Sequence, residues 1–114
     1  MATYYLVQND AKQDMFVSLK NADGTVIDLT DATSVTFHCG FEGDKPGVLV
    51  SGLCSIVTPA TGRVKYTWLA ANTAVLSPSV SYDAEFEILW PTAIIRTVPA
   101  KAGGFKVVVK GEVG

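Results

Sequence analysis

An all-β sandwich or barrel is the fold class this sequence predicts, and three observations carry that reading. Apolar residues make up 48 % of the 114 and charged residues 18 %, with Val, Thr, Ala and Gly abundant and long runs of Leu, Glu, Lys and Arg missing. That balance suits strands rather than helices. Turn-forming clusters recur at short intervals: NADG at 21–24, FEGDKPG at 41–47, TPATG at 58–62, LSPS at 76–79, WPTA at 90–93 and KAGG at 101–104. Between them apolar and polar residues alternate with the period of two that places successive side chains on opposite faces of a strand.

The elements follow in order. TYYLV, residues 3–7, is apolar on both faces, and adjacent strand residues point opposite ways, so one of Tyr4 and Tyr5 is expected to be exposed unless a partner covers it. Met15, Val17 and Leu19 share a face opposite Phe16, Ser18 and Lys20, and NADG then turns the chain into TVIDL as a hairpin. Gly24 supplies the positive φ such a turn requires. Past the corner DLTDAT, Val35, Phe37 and Cys39 alternate with Thr36 and His38. GRVKYTWL puts Val64, Tyr66 and Trp68 inward and Arg63, Lys65 and Thr67 outward. SYDAEFEILW repeats the pattern, with Tyr82, Ala84, Phe86, Ile88 and Trp90 against Asp83, Glu85 and Glu87, and Pro91 ends it because proline cannot donate to a ladder. AIIRTVP and GGFKVVVKGEV complete the set, with Phe105, Val107 and Val109 inward and Val108 an exposed apolar residue on the outer face. Alternation lapses only in LAANTAVLS, 69–77, where a loop or a single helical turn is expected.

A chain of this length forms one domain, residues 1–114, able to bury roughly two thirds of its unfolded surface without help from a metal or disulfide. Nine basic residues are spread singly against eleven acidic ones, for a net charge of -2, so no basic stripe exists to follow a phosphate backbone. No nucleic acid partner is expected. Neither a signal-like N-terminus nor an apolar run of 18 residues is found, which points to synthesis in a cytoplasm and to no membrane partner. Cys39 and Cys54 could form a disulfide, but a reducing compartment favours two buried free thiols.

Reactive constellations are scarce. His38 is the sole histidine and points away from Cys39 on a strand, so nucleophilic catalysis and a zinc site both lack a second partner. Asp83, Glu85 and Glu87 share one face of one strand, whereas paired catalytic carboxylates come from opposing elements; Arg63 and Lys65 on the preceding strand are expected to pair with them across the sheet. Asp28 and Asp31 lack calcium-loop spacing, and Asp and Thr in such a corner cap the turn through nearby backbone N–H groups. Trp68 and Trp90 could build a carbohydrate platform only if exposed, and parity places both inward. No catalytic, metal or cofactor-binding residues emerge, so the protein is expected not to be an enzyme.

The stretches GTVIDLTDATSVTF, VSGLCSIVTPATGRVKYTW and SYDAEFEILWPTAIIRTVPAKAGGFKVVV, in that order from about Met15 to Val109, resemble the N-terminal domain family of the phage baseplate upper protein and related small tailed-phage virion proteins. In that family a D-G turn precedes DLTGATV, and a Y.AEFEV segment leads to the last strands. Here Asp31 stands in place of the glycine of LTGAT, and PSVSYDAEF departs from the family's G-T/K-Y before AEF.

The resemblance implies an immunoglobulin-like antiparallel sandwich of about seven or eight strands that attaches to other virion proteins. Family members continue into a longer structural or receptor-binding region, so a copy of this length resembles a small virion subunit. The roles implied are capsid decoration, or a head, tail or baseplate accessory, located in the virion, with a homo-oligomer set by its symmetry among the arrangements implied. A carbohydrate- or receptor-binding immunoglobulin-like module is the alternative. The expected interface is formed by the segments that stay apolar on two faces: Tyr4, Tyr5, Leu6 and Val7 near the N-terminus, and Val108, Lys110 and Val113 near the C-terminus.

Overall fold

The computed structural model describes residues 2–7, 13–21, 23–41, 48–69, 76, 81–92, 95–98 and 105–110. Nine strands occur among them: β1 (Ala2–Val7), β2 (Gln13–Ser18), β3 (Ser34–Phe41), β4 (Val48–Leu53), β5 (Ser55–Thr58), β6 (Arg63–Trp68), β7 (Ser81–Leu89), β8 (Ile95–Val98) and β9 (Phe105–Lys110). One sheet has the order β1-β9-β7-β3-β4, with β8 also on β7, and the other has the order β2-β6-β5. The all-β sandwich expected from the sequence is present, and its strand order is that of immunoglobulin-like domains.

The nine strands include β4 and β5, for which the sequence pattern predicts no element, and two strands share one side of β7. β8 pairs with the C-terminal half of β7, ending at Phe86↔Val98, and β9 pairs with its N-terminal part, starting at Asp83↔Lys106. Three residues along β7 thus match eight along the neighbouring edge, so the register jumps by five residues between the two ladders.

The core follows the alternation in the sequence. Met15 and Leu19 from the β2 segment, Val64, Tyr66 and Trp68 from β6, and Val35, Phe37, Cys39, Tyr82, Ala84, Phe86 and Ile88 from the larger sheet are all buried, as are Phe105, Val107 and Val109. Phe37 is the hub, with ring centroids 4.7 Å from Tyr66, 5.3 Å from Trp68 and 5.2 Å from Phe86. The contacts with Tyr66 and Trp68 join the sheets and that with Phe86 lies within the larger one; each contributes about 0.5–1.5 kcal/mol beyond area burial. Trp90, expected inward, is only half-buried beyond the end of β7.

NADG turns the chain into TVIDL as a short hairpin, held by Asn21 N–H to the Thr25 carbonyl, the antiparallel bridge Lys20↔Val26 and Ile27 N–H to the Leu19 carbonyl; beyond it Leu29 N–H bonds the Pro59 carbonyl and no longer ladder forms. Ile27 and Leu29 reach the core. The corner is capped as expected. Asp28 accepts hydrogen bonds from the Thr30 backbone N–H at 2.9 Å and from its hydroxyl at 2.5 Å, and Asp23 holds Thr25 in the same way. These side-chain bonds lower the pKa of both carboxyls.

Gly62 follows a short 3-10 turn (Pro59–Thr61) at φ 68°. A Cβ there would lie 2.6 Å from the Ile27 carbonyl oxygen and 2.7 Å from that of Leu19, so this bend needs glycine for space as well as conformation. Only Cys54 separates β4 from β5, which lie in different sheets, and its N–H donates to the Val35 carbonyl at 2.8 Å. The chain therefore switches sheets at Cys54, as strands at sandwich corners do.

Candidate functional site

The structure brings the two expected interface segments together. β1 runs parallel to β9 in the register Tyr4↔Val107, Tyr5↔Val108, Leu6↔Val109 and Val7↔Lys110. Six of the seven expected residues thus occupy adjacent strands, while Val113 lies outside the described residues. Of the two segments, β1 takes the outer position in the sheet and β9 lies between β1 and β7. From Lys106 to Val108 the strand is paired on both sides, with β1 and with β7.

Side-chain placement on this pair follows strand parity. Tyr5 is 56 % exposed on the outer face, and Val108 beside it is half-buried rather than exposed, since its neighbouring strand shields it. Tyr4 points inward and its hydroxyl reaches the Asp14 carbonyl on β2 at 3.4 Å, tying the two sheets together. Next to this pair, Lys106 on β9 donates to Asp83 on β7 at 2.7 Å, with both side chains largely covered.

Across the outer face of the larger sheet, His38 sits between two neighbours. Its Nδ1 lies 3.1 Å from the Ser51 hydroxyl on β4, and its Nε2 lies 3.8 Å from Glu87 on β7. Sequence reasoning missed this Ser-His-Glu row, because Ser51 and Glu87 are 13 and 49 positions away and only the register unites them. The row lies on an open sheet face with Ser51 exposed, and its chemistry is to link three strands by side-chain contacts.

The expected pairing of Arg63 and Lys65 with Asp83, Glu85 and Glu87 is overturned. β6 belongs to the three-stranded sheet and β7 to the other, so the two charge groups occupy opposite outer faces of the sandwich. Arg63 instead lies over the exposed ring of Phe16, 5.1 Å from its centroid. Sequence adjacency suggested a hairpin, but consecutive strands in a sandwich often cross between sheets.

The remaining candidates resolve in the same way. Cys39 and Cys54 are free, and burial pushes both thiols up to about 12, with the Asp83 carboxylate adding to the effect at Cys39. Cys54 is hydrogen-bonded beside Val35, four residues from Cys39, and therefore about 13 Å along the strand from it, beyond disulfide reach. Trp68 is fully buried, which removes it from any carbohydrate platform. Among the described residues no group of three or more His, Cys, Asp or Glu side chains could hold a metal, and no helix is long and apolar enough to cross a membrane.

The fold is a β-sandwich of immunoglobulin-like strand order, and the side-chain contacts described above lie on its outer faces and in its core. Compared with models of known protein families and with curated proteins, the chain matches none.

Proposed function

We propose that this protein is a structural subunit of a tailed-phage virion, acting by docking onto other virion proteins rather than by catalysis. The role is capsid decoration, or that of a head, tail or baseplate accessory. The observation that carries the reading is the ordered series of turn and strand motifs from Met15 to Val109, accompanied by the sandwich architecture which those motifs imply. The outer patch of Tyr5 and Val108 on β1 and β9 is the proposed contact: a half-exposed aromatic beside an aliphatic side chain, on strands held rigid by the sheet. Aromatic anchors of this kind dominate protein interfaces.

The experiment is to purify phage particles from a lysate that expresses the gene and quantify the protein in them. A fixed copy number per particle, lowered by Tyr5→Ala, is the expected result. Particles that lack the protein would refute the proposal.

A further inference from the structure

The separation of charges between the two faces has an intermolecular counterpart. On the outer face of the larger sheet, Asp83, Glu85 and Glu87 outnumber Lys106 among the described side chains, leaving two net negative charges with His38 neutral. On the opposite outer face, Lys20, Arg63 and Lys65 outnumber Asp14 and Asp28, leaving one net positive charge among the described side chains. Each face also exposes large apolar side chains: Leu53 at 71 % and Ile95 at 58 % on the acidic side, Phe16 at 47 % and Val57 at 45 % on the basic side.

We propose that copies of this chain stack head to tail, the basic face of one on the acidic face of the next. A second copy is the occupant because the same molecule carries both halves of a complementary pair, in charge and in exposed apolar groups. Contact between like faces would instead set Glu85 and Glu87 against their own copies, or Arg63 and Lys65 against theirs. The molecule's two larger principal extents are 45 and 28 Å, so a broad face can bury the ~800 Å² per partner of a standard interface. A contact between unlike faces is heterologous and propagates into rings or open stacks. The inference rests on strand order and charge placement, not on the virion reading, and either can fail without the other.

The test uses the purified full chain in sedimentation velocity at low and high salt. At ~20 mM salt and a few hundred micromolar protein, the weight-average mass should at least double over the monomer, and at ~1 M salt, where screening shortens to about 3 Å, it should return to monomer. Glu85→Lys/Glu87→Lys and Arg63→Glu/Lys65→Glu should each be monomeric alone, with both faces then of one sign. Mixed in equal amounts they should associate again, which damage to the fold could not produce. The neutral pairs Glu85→Gln/Glu87→Gln and Arg63→Gln/Lys65→Gln serve if a reversed variant does not fold, and each should weaken association at least severalfold. A wild-type monomer at low salt, association indifferent to salt and substitution, or failure of the folded reversed variants to rescue each other would overturn the proposal.

Discussion

Phe37 and Tyr66 meet from opposite sheets with ring centroids 4.7 Å apart, and Phe37 has no exposed surface. Since Phe37 also contacts Trp68 and Phe86, its ring fills the space between the sheets and sets their separation. Phe37→Ala is therefore expected to cost about 3–5 kcal/mol, a large share of a typical domain's stability. Urea unfolding followed by the fluorescence of Trp68 measures it, and a loss below 1 kcal/mol would contradict this packing.

Two glycines with positive φ separate strain from crowding. Gly24 at φ 91° has open space where a Cβ would stand, so Gly24→Ala should lose only the conformational term, about 1 kcal/mol. Gly62 at φ 68° would drive a Cβ into two backbone oxygens that cannot swing aside, and Gly62→Ala should cost at least about 2 kcal/mol. Equal losses in chemical denaturation would show that the Gly62 bend is not crowded.

The buried thiols give stability a definite slope in alkali. In the unfolded chain a cysteine ionises near 9.0, whereas Cys39 and Cys54 hold their protons to about 12 when folded. Above pH 9 the unfolded state has released protons that the folded state keeps, so stability contributed by the neutral thiols falls as pH rises from 9 to 12. The slope is up to about 1.4 kcal/mol per pH unit for each thiol. Midpoints measured for the wild type and a Cys39→Ala/Cys54→Ala variant between pH 8 and 10.5 should converge or cross. Parallel curves would place the thiols in contact with water.

Asp83 and Lys106 form a cross-strand pair with side chains only 16 % and 17 % exposed. Removing one member takes this 2.7 Å contact from the other, which is largely covered. Asp83→Asn should cost about 1–2 kcal/mol, more than the ~0.5 kcal/mol of an exposed pair, and Lys106→Met added to it should return part of the loss. A double-mutant cycle reads the coupling directly.

Facing was legible in the sequence, but partnering was not. The inward rows Val64, Tyr66, Trp68 and Tyr82, Ala84, Phe86, Ile88 follow from alternation alone, because a period of two reports which side chains meet the core. Alternation carries no information about which strands lie together. Arg63 and Lys65 were therefore expected beside Glu85 and Glu87, although the sandwich sets the two strands in different sheets. TVIDL shows the same limit: its hairpin with residues 19–21 was legible from NADG, whereas the bond of Leu29 N–H to the distant Pro59 carbonyl was not. The two segments expected at the contact stand out in the sequence by their two-sided apolar character, and the structure sets them on neighbouring strands. Their parallel pairing joins residues about a hundred positions apart, which no local pattern encodes.

That parallel pair also determines how the protein would bear a load. Six residues of β1 lie in register with six of β9, the two strands pointing the same way. Tension entering ahead of Ala2 and leaving beyond Lys110 therefore pulls the two strands lengthwise past each other. The backbone bonds between them must yield together rather than peel one by one, so the pair resists such a pull as a shear clamp.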